Sequence, residues 1–261
     1  MNHDVTFGSI LRSELLKFRS VRSSIVGVVV TFVLTLGIGA LVTILVRTHW
    51  ATATFATKVT FDPVSTSLVG IIFAQFAVGI IGALFITSEY TAGSIRTTLA
   101  AVPRRAELAF GKLIVLLASM LVVSEVAAFA TFLMGQAIFS GVVPTASLSN
   151  AHTLRAVILA GLYLTLLAAF VYSLGLILRH SVTTISVFVS LLLVVPLILF
   201  SLPTSWQNDS RRFLPAELGH AMTSTTAVPH DFGAWTALAI LAAYVVVLFS
   251  IGTTMFLRRD A

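Results

Sequence analysis

Cysteine is absent from this chain, which excludes disulfides, thiolate metal ligands and a cysteine nucleophile. Charge is scarce. Only 10% of the residues are Asp, Glu, Lys or Arg against 57% hydrophobic, far from the balance of a soluble domain. The G-x-x-x-x-G-K-[ST] loop that cradles ATP phosphates is missing, as are the H-E-x-x-H zinc helix and the G-x-S-x-G elbow, so no catalytic residue is expected. The histidines His3, His49, His152, His180, His220 and His230 are scattered, no pair of them has helical ligand spacing, and no metal site is expected.

What is present is a set of six apolar runs, at about 24–46, 64–87, 113–139, 155–178, 182–202 and 235–257. Each is long enough to cross a hydrocarbon layer of ~30 Å as a helix, and none carries Lys or Arg well inside it. Continuous apolar runs mean helices rather than barrel strands. No connecting segment is large enough for a soluble domain. The expected fold is therefore an all-α membrane protein of six spans, 24–261, preceded by an interfacial segment, 1–23. The first run is too long for a signal-peptide core and no A-x-A site follows it, so it reads as an uncleaved span.

Eleven of the sixteen basic residues fall on one side of this map and five on the other. The positive-inside rule puts the richer side, with both termini, in the cytoplasm. The net charge of +6 thus reads as topology marking and contact with lipid headgroups, not as a nucleic-acid surface.

Residues 5–22 predict an amphipathic helix on the inner membrane face, with Phe7, Ile10, Leu11, Leu15 and Phe18 on one arc. Glu14 interrupts that arc; it is read as an i+3 ion pair with Lys17 or as a contact for a cytoplasmic partner. Asp62-Pro63 predicts the capped start of span two. The inner loop 88–112 is the largest cytoplasmic feature. Within the outer stretch 203–234, Pro215–Met222 predicts a short helix that lies on the outer face or dips in under protein cover. Pro196 should kink span five. Gly161, Thr165, Ala169 and Ser173 recur every fourth residue in span four and predict close helix packing.

Glu125 is the one carboxylate at membrane depth, near the centre of span three, where a charge is costly. No intramembrane Lys or Arg can balance it. Gln75, at similar depth in span two, is a candidate partner for an interhelical hydrogen bond; the alternatives are that Glu125, with Gln75, lines a substrate path or that Glu125 serves a proton relay. The run Thr87-Ser88-Glu89-Tyr90-Thr91-Ala92-Gly93-Ser94-Ile95-Arg96-Thr97-Thr98-Leu99, followed by Val102-Pro103-Arg104-Arg105, is polar enough to dock another protein through Glu89, Tyr90, Ser94 and Arg96, with Glu14 a further candidate.

That run resembles the T-S-E-Y-x-x-G-[ST]-[IL]-[RK]-T-T-L-x-x-x-P-R-R stretch of permeases of type-2 ATP-binding-cassette (ABC) transporters. Ser13-Glu14-Leu15-Leu16-Lys17-Phe18-Arg19-Ser20 is similar to the S-E-x-x-K-x-R-S opening of actinobacterial members. Phe61-Asp62-Pro63, Leu214-Pro215 and the ending Arg258-Arg259-Asp260-Ala261 follow in the same order. Glu125 departs from the pattern, which has an uncharged residue there. The resemblance implies an exporter subunit in the cell membrane, with a coupling helix after span two, a second permease subunit, identical or related, and two separate ATPase subunits. ATP and Mg would then belong to the ATPases and no cofactor to this chain. The alternative is a sensor or scaffold whose inner loop docks a signalling partner.

Overall fold

The computed structural model describes residues 6–91, 93, 105–201, 203–226 and 231–258. Among these, six helices are long and apolar enough to span a membrane. They are α2 (Arg22–His49), α5 (Ile71–Thr91), α6 (Arg105–Phe139), α7 (Ala151–Leu178), the interrupted helix α8 (Ser181–Val189) to α9 (Val195–Phe200), and α12 (Ala234–Arg258). Before them lies α1 (Phe7–Ser20). The short helices α3 (Phe55–Val59), α4 (Pro63–Ser67), α10 (Thr204–Arg211) and α11 (Pro215–Thr223) sit at the end of the bundle away from the termini. We call that end outer and the other inner, after the basic-residue bias.

Span four, α7, is the hub. About 78% of its apolar window is buried inside the chain, against 17% for spans one and five, and it packs on spans two, three and six. Its small residues permit this. Gly161, Thr165, Ala169 and Ser173 are all on its buried face. Across the seam, a Cβ at Gly82 of span two would overlap the Ala168 carbonyl, so only glycine allows the two backbones to approach. The stripe predicted from spacing thus packs within one chain.

Span one shows how lipid as solvent inverts the usual pattern. Thr31, Thr35, Gly39 and Thr43 form its buried face, while Val26, Val29, Val33 and Leu41 are exposed. The hydroxyls of Thr31, Thr35 and Thr43 donate to carbonyls four residues back, so small polar side chains face protein without an unmet bond. Large aliphatic side chains are at no disadvantage against acyl chains.

Three expectations are refined. Asp62 Oδ1 does accept from Val64 N–H at 2.8 Å with Pro63 in the first turn, but the helix it opens ends at Ser67 and span two restarts at Ile71. A Cβ at Gly70 would collide with the Thr35 backbone of span one, so glycine at this break lets the two chains approach closely. In span five the effect of Pro196 takes the form of a π-helical turn at Ser190–Val194, just before it. The wider turn accommodates the missing proline N–H and the bulk of its ring. Span three begins at Arg105 rather than near 113, and the span-two helix runs on to Thr91, so the inner loop 88–112 is helical at both flanks.

The outer helix α11 forms as expected and packs under protein cover. Pro215, Leu218, Gly219, Ala221 and Met222 are buried against spans four and six.

Candidate functional site

At the inner end, α1 lies across the start of span three with Ile10, Glu14 and Phe18 on its buried face. Glu14 therefore does not interrupt the buried stripe but occupies its middle, and Leu15, assigned to the apolar arc, is exposed. Charge compensation makes this tolerable. Lys112 Nζ donates to Glu14 Oε2 at 2.6 Å and to Glu89 Oε1 at 2.7 Å. Lys17 Nζ donates to Glu14 Oε1 at 2.8 Å and to the same Glu89 oxygen at 3.0 Å.

The four side chains form a closed, neutral ring linking α1, the last turn of span two and the first turns of span three. Glu14 and Lys112 are each 1% exposed, Glu89 12% and Lys17 39%. A buried ammonium between two carboxylates is stable only as a set, because removing one member strands the others away from water. Lys112 also sits 5.3 Å from the Phe85 ring centre, and Phe85 packs edge-on to Phe18. Burial by itself lowers the Lys17 pKa, but its hydrogen bond and charge interaction with Glu14, and then those with Glu89, outweigh this and leave it raised.

Further bonds fix the same end of span two. Ser181, opening span five, donates to Thr87 Oγ1 at 2.8 Å. Arg179 closes span four in the left-handed conformation, φ 57°, with its own N–H on the Gly175 carbonyl. Its guanidinium lies 5.5 Å from the Tyr90 ring and 5.9 Å from that of Phe256, and donates to Met255 O at 3.2 Å. This anchorage offsets the cost of a non-glycine residue at positive φ. Spans two, four and six are thereby joined. Of the expected partner contacts, Glu14 and Glu89 turn inward into the ring and Tyr90 stacks beneath Arg179; Ser94 and Arg96, with the expected coupling helix, lie outside the described residues.

At the outer end a cavity of about 720 Å³ lies between span one, the broken entry of span two and α11. Val42, Val46 and Ile72 give it apolar walls, Glu217 and His220 a polar rim, and Gln75 with Tyr163 a polar floor. Gln75 is not the partner of Glu125: its Oε1 accepts from Tyr163 O–H at 2.5 Å, and that pair is buried. Periodicity could place Gln75 by depth but not reveal which neighbour faced it.

Glu125 instead lies on the seam of spans three and four. A Cβ at Gly161 would come within 2.5 Å of its carboxyl carbon, so glycine makes room for the acid. Among the described residues the carboxyl has no hydrogen-bond partner, and its Oε2 is buried. Glu125 does not line the outer cavity.

One outer grouping went unforeseen. Glu217 and His220, three apart on α11, meet Asp231 just before span six, and one donor atom from each lies within 4.8 Å of the others. The readable signal is Glu-x-x-His on a short helix, which the spacing between histidines does not show.

No curated protein matches the chain. The sequence profile of the family described as ABC-2 family transporter protein matches residues 10–196, from α1 through to Pro196 in span five. The chain belongs to that family and is a multi-pass membrane permease of an ABC transporter, not itself a catalytic component.

Proposed function

We propose that this permease is the membrane subunit of an exporter in the plasma membrane, with both termini cytoplasmic. It works beside a second permease, identical or related, and two separate ATPase subunits that carry ATP and Mg. The inner segment around 88–105 is the docking element. Arg96 and Ser94 are its contact candidates, Tyr90 and Glu89 hold its near flank, and Glu14 acts behind them by fixing α1. The substrate path runs through the outer cavity over Gln75, and Glu125 on the seam of spans three and four is a second candidate along it.

The observation that supports this reading is the ionic ring at the inner end. It ties together the two helix ends between which the 92–104 segment runs, and adds α1. A push from a partner on that segment has no slack to take up at its ends. It passes to spans two, three and four as a rigid displacement, which is what rocking one permease half against the other requires. The direction of transport rests on the family resemblance and fits a cavity set toward the outer end.

The test is co-purification of the tagged chain from membranes, followed by intact-mass analysis and an ATPase assay. Wild type should bring down an ABC ATPase with ATP-hydrolysing activity. Arg96→Glu should lose the ATPase or its transport-coupled activity while still inserting normally. Unchanged assembly and coupling in Arg96→Glu would reduce the segment to a connector. Because the chain has no cysteine, single cysteines report topology directly. Thr54→Cys and Ser147→Cys should react with an impermeant thiol reagent on intact cells, and Ser9→Cys and Thr98→Cys should not.

A further inference from the structure

We propose that Glu217, His220 and Asp231 form a binding site for a divalent transition metal, of which zinc is the type, on the outer face of the permease. The inference stands independently of the export reading. Glu217 and His220 project from one face of α11, as residues three apart on a helix must. Asp231 approaches from the segment that opens span six. One donor atom from each lies within 4.8 Å of the others.

The Asp231 carboxylate supplies the second observation. Its Oδ2 is buried and has no hydrogen-bond partner, although the side chain is only 12% exposed. The nearest ring nitrogen, His220 Nδ1, is 3.9 Å away, too far to satisfy it by a hydrogen bond. That gap is close to what an ion between them needs: donors on a tetrahedral zinc, with bonds of about 2.0–2.2 Å, lie roughly 3.4 Å apart, so the pair must close by about half an ångström. A separation at the 4.8 Å bound must close by somewhat more than an ångström, which the exposed His220 side chain can supply by rotation.

The donor set fixes the class of metal. An imidazole with two carboxylates suits zinc or manganese, whereas magnesium and calcium favour all-oxygen shells. Arg211 Nε donates to Glu217 Oε1 at 3.0 Å, which leaves the other oxygen of that carboxylate for a metal. Arg212 stacks over Phe213 and Phe232, and Arg155 donates to the Ser224 carbonyl, so neither is paired with a ligand carboxylate. Two carboxylates less one arginine leave a single net negative charge, and a dication at neutral imidazole does not overload the site.

Access is from the outer solvent, where His220 is more than half exposed. Glu217 and His220 also rim the outer cavity, so a bound metal would hold α11 against the start of span six and fix one wall of that cavity.

The experiment uses the full chain, purified in detergent and stripped with EDTA, titrated with ZnCl2 or MgCl2. Calorimetry should give one zinc per chain, and the melting temperature should rise with zinc and not with magnesium. His220→Ala and Asp231→Asn should each lower zinc affinity by at least about tenfold and abolish the rise. Their melting temperatures without zinc should stay near wild type, which separates loss of a ligand from misfolding. His49→Ala should bind zinc as wild type does. Zinc affinity within twofold of wild type in both His220→Ala and Asp231→Asn would overturn the proposal, as would an equal response to magnesium.

Discussion

The inner end of the bundle is held by a buried ionic ring, whereas the outer end is held by neutral hydrogen bonds in its interior with ion pairs only at its more exposed rim, and the two ends enclose different amounts of space. At the inner end Glu14, Lys17, Glu89 and Lys112 close a ring around a crevice of about 300 Å³. At the outer end Tyr163 bonds Gln75, Gln136 bonds Ser67, and Thr131 bonds the Ser67 carbonyl, beside a cavity of about 720 Å³. A buried ionic set resists partial opening, because every intermediate leaves a charge unpaired. Neutral bonds in a membrane protein are exchanged for others at small cost. The inner end is therefore built to move as a block, and the outer end to rearrange around what occupies it.

The sharpest way to break this contrast is Lys112→Met. It removes the buried ammonium that neutralises Glu14, and should cost about 3–5 kcal/mol in unfolding measurements in detergent. Glu14→Gln with Lys112→Met should cost less than the sum of the single changes, because the members act as a set. A wedge between the ends comes next. Gly82→Val drives a side chain into the Ala168 carbonyl, and should cost about 1–3 kcal/mol and loosen both ends together.

At the outer end Tyr163→Phe removes only the bond to Gln75. The expected loss is near 0.6 kcal/mol and at most about 1.7 kcal/mol. A loss equal to that of Lys112→Met would erase the distinction between the ends.

Lys17→Met should cost under about 1 kcal/mol, since solvent screens a side chain this exposed. The raised Lys17 pKa sets its pH window. Its contribution is fully present below the ordinary value of 10.5 and is lost as pH rises through the folded value above it, so thermal stability of wild type but not of Lys17→Met should carry that alkaline step. The smallest effect belongs to Glu125→Leu. With no hydrogen bond to lose, it should leave the melting temperature unchanged or raised, and a clear fall would mean that the carboxyl has a partner.

Several pieces of this fold were legible because they depend on near neighbours. Asp62 and Pro63 announced a helix start, and the start is there, but the break that follows brings Gly70 against Thr35 of another span, a contact that no local pattern shows. Glu14 and Lys17 were readable as a pair three residues apart. Lys112, which completes that pair into a ring, lies 98 positions away from Glu14, and no local pattern points to it. Glu125 was a candidate partner for Gln75 on depth alone, and the bond Gln75 makes is to Tyr163, since depth follows from hydropathy while facing follows from helix rotation. The outer trio escaped for the same reason, because Asp231 reaches Glu217 and His220 only through the return of the chain at span six.

The sequence by itself determined that this is a six-span helical membrane protein with a surface helix before it. Run length against bilayer thickness and the lack of polar groups in those runs admit no other arrangement. The family could be read from the order of short motifs along the chain. The tertiary structure alone decided which span is the hub, that Glu14 and Lys112 neutralise each other in the interior, and that Tyr163 rather than Glu125 meets Gln75. In lipid every apolar face is equally acceptable outside, so hydropathy does not select which face turns inward. Close packing of small residues and the pairing of the few buried polar groups make that choice, and both are contacts between residues far apart in sequence.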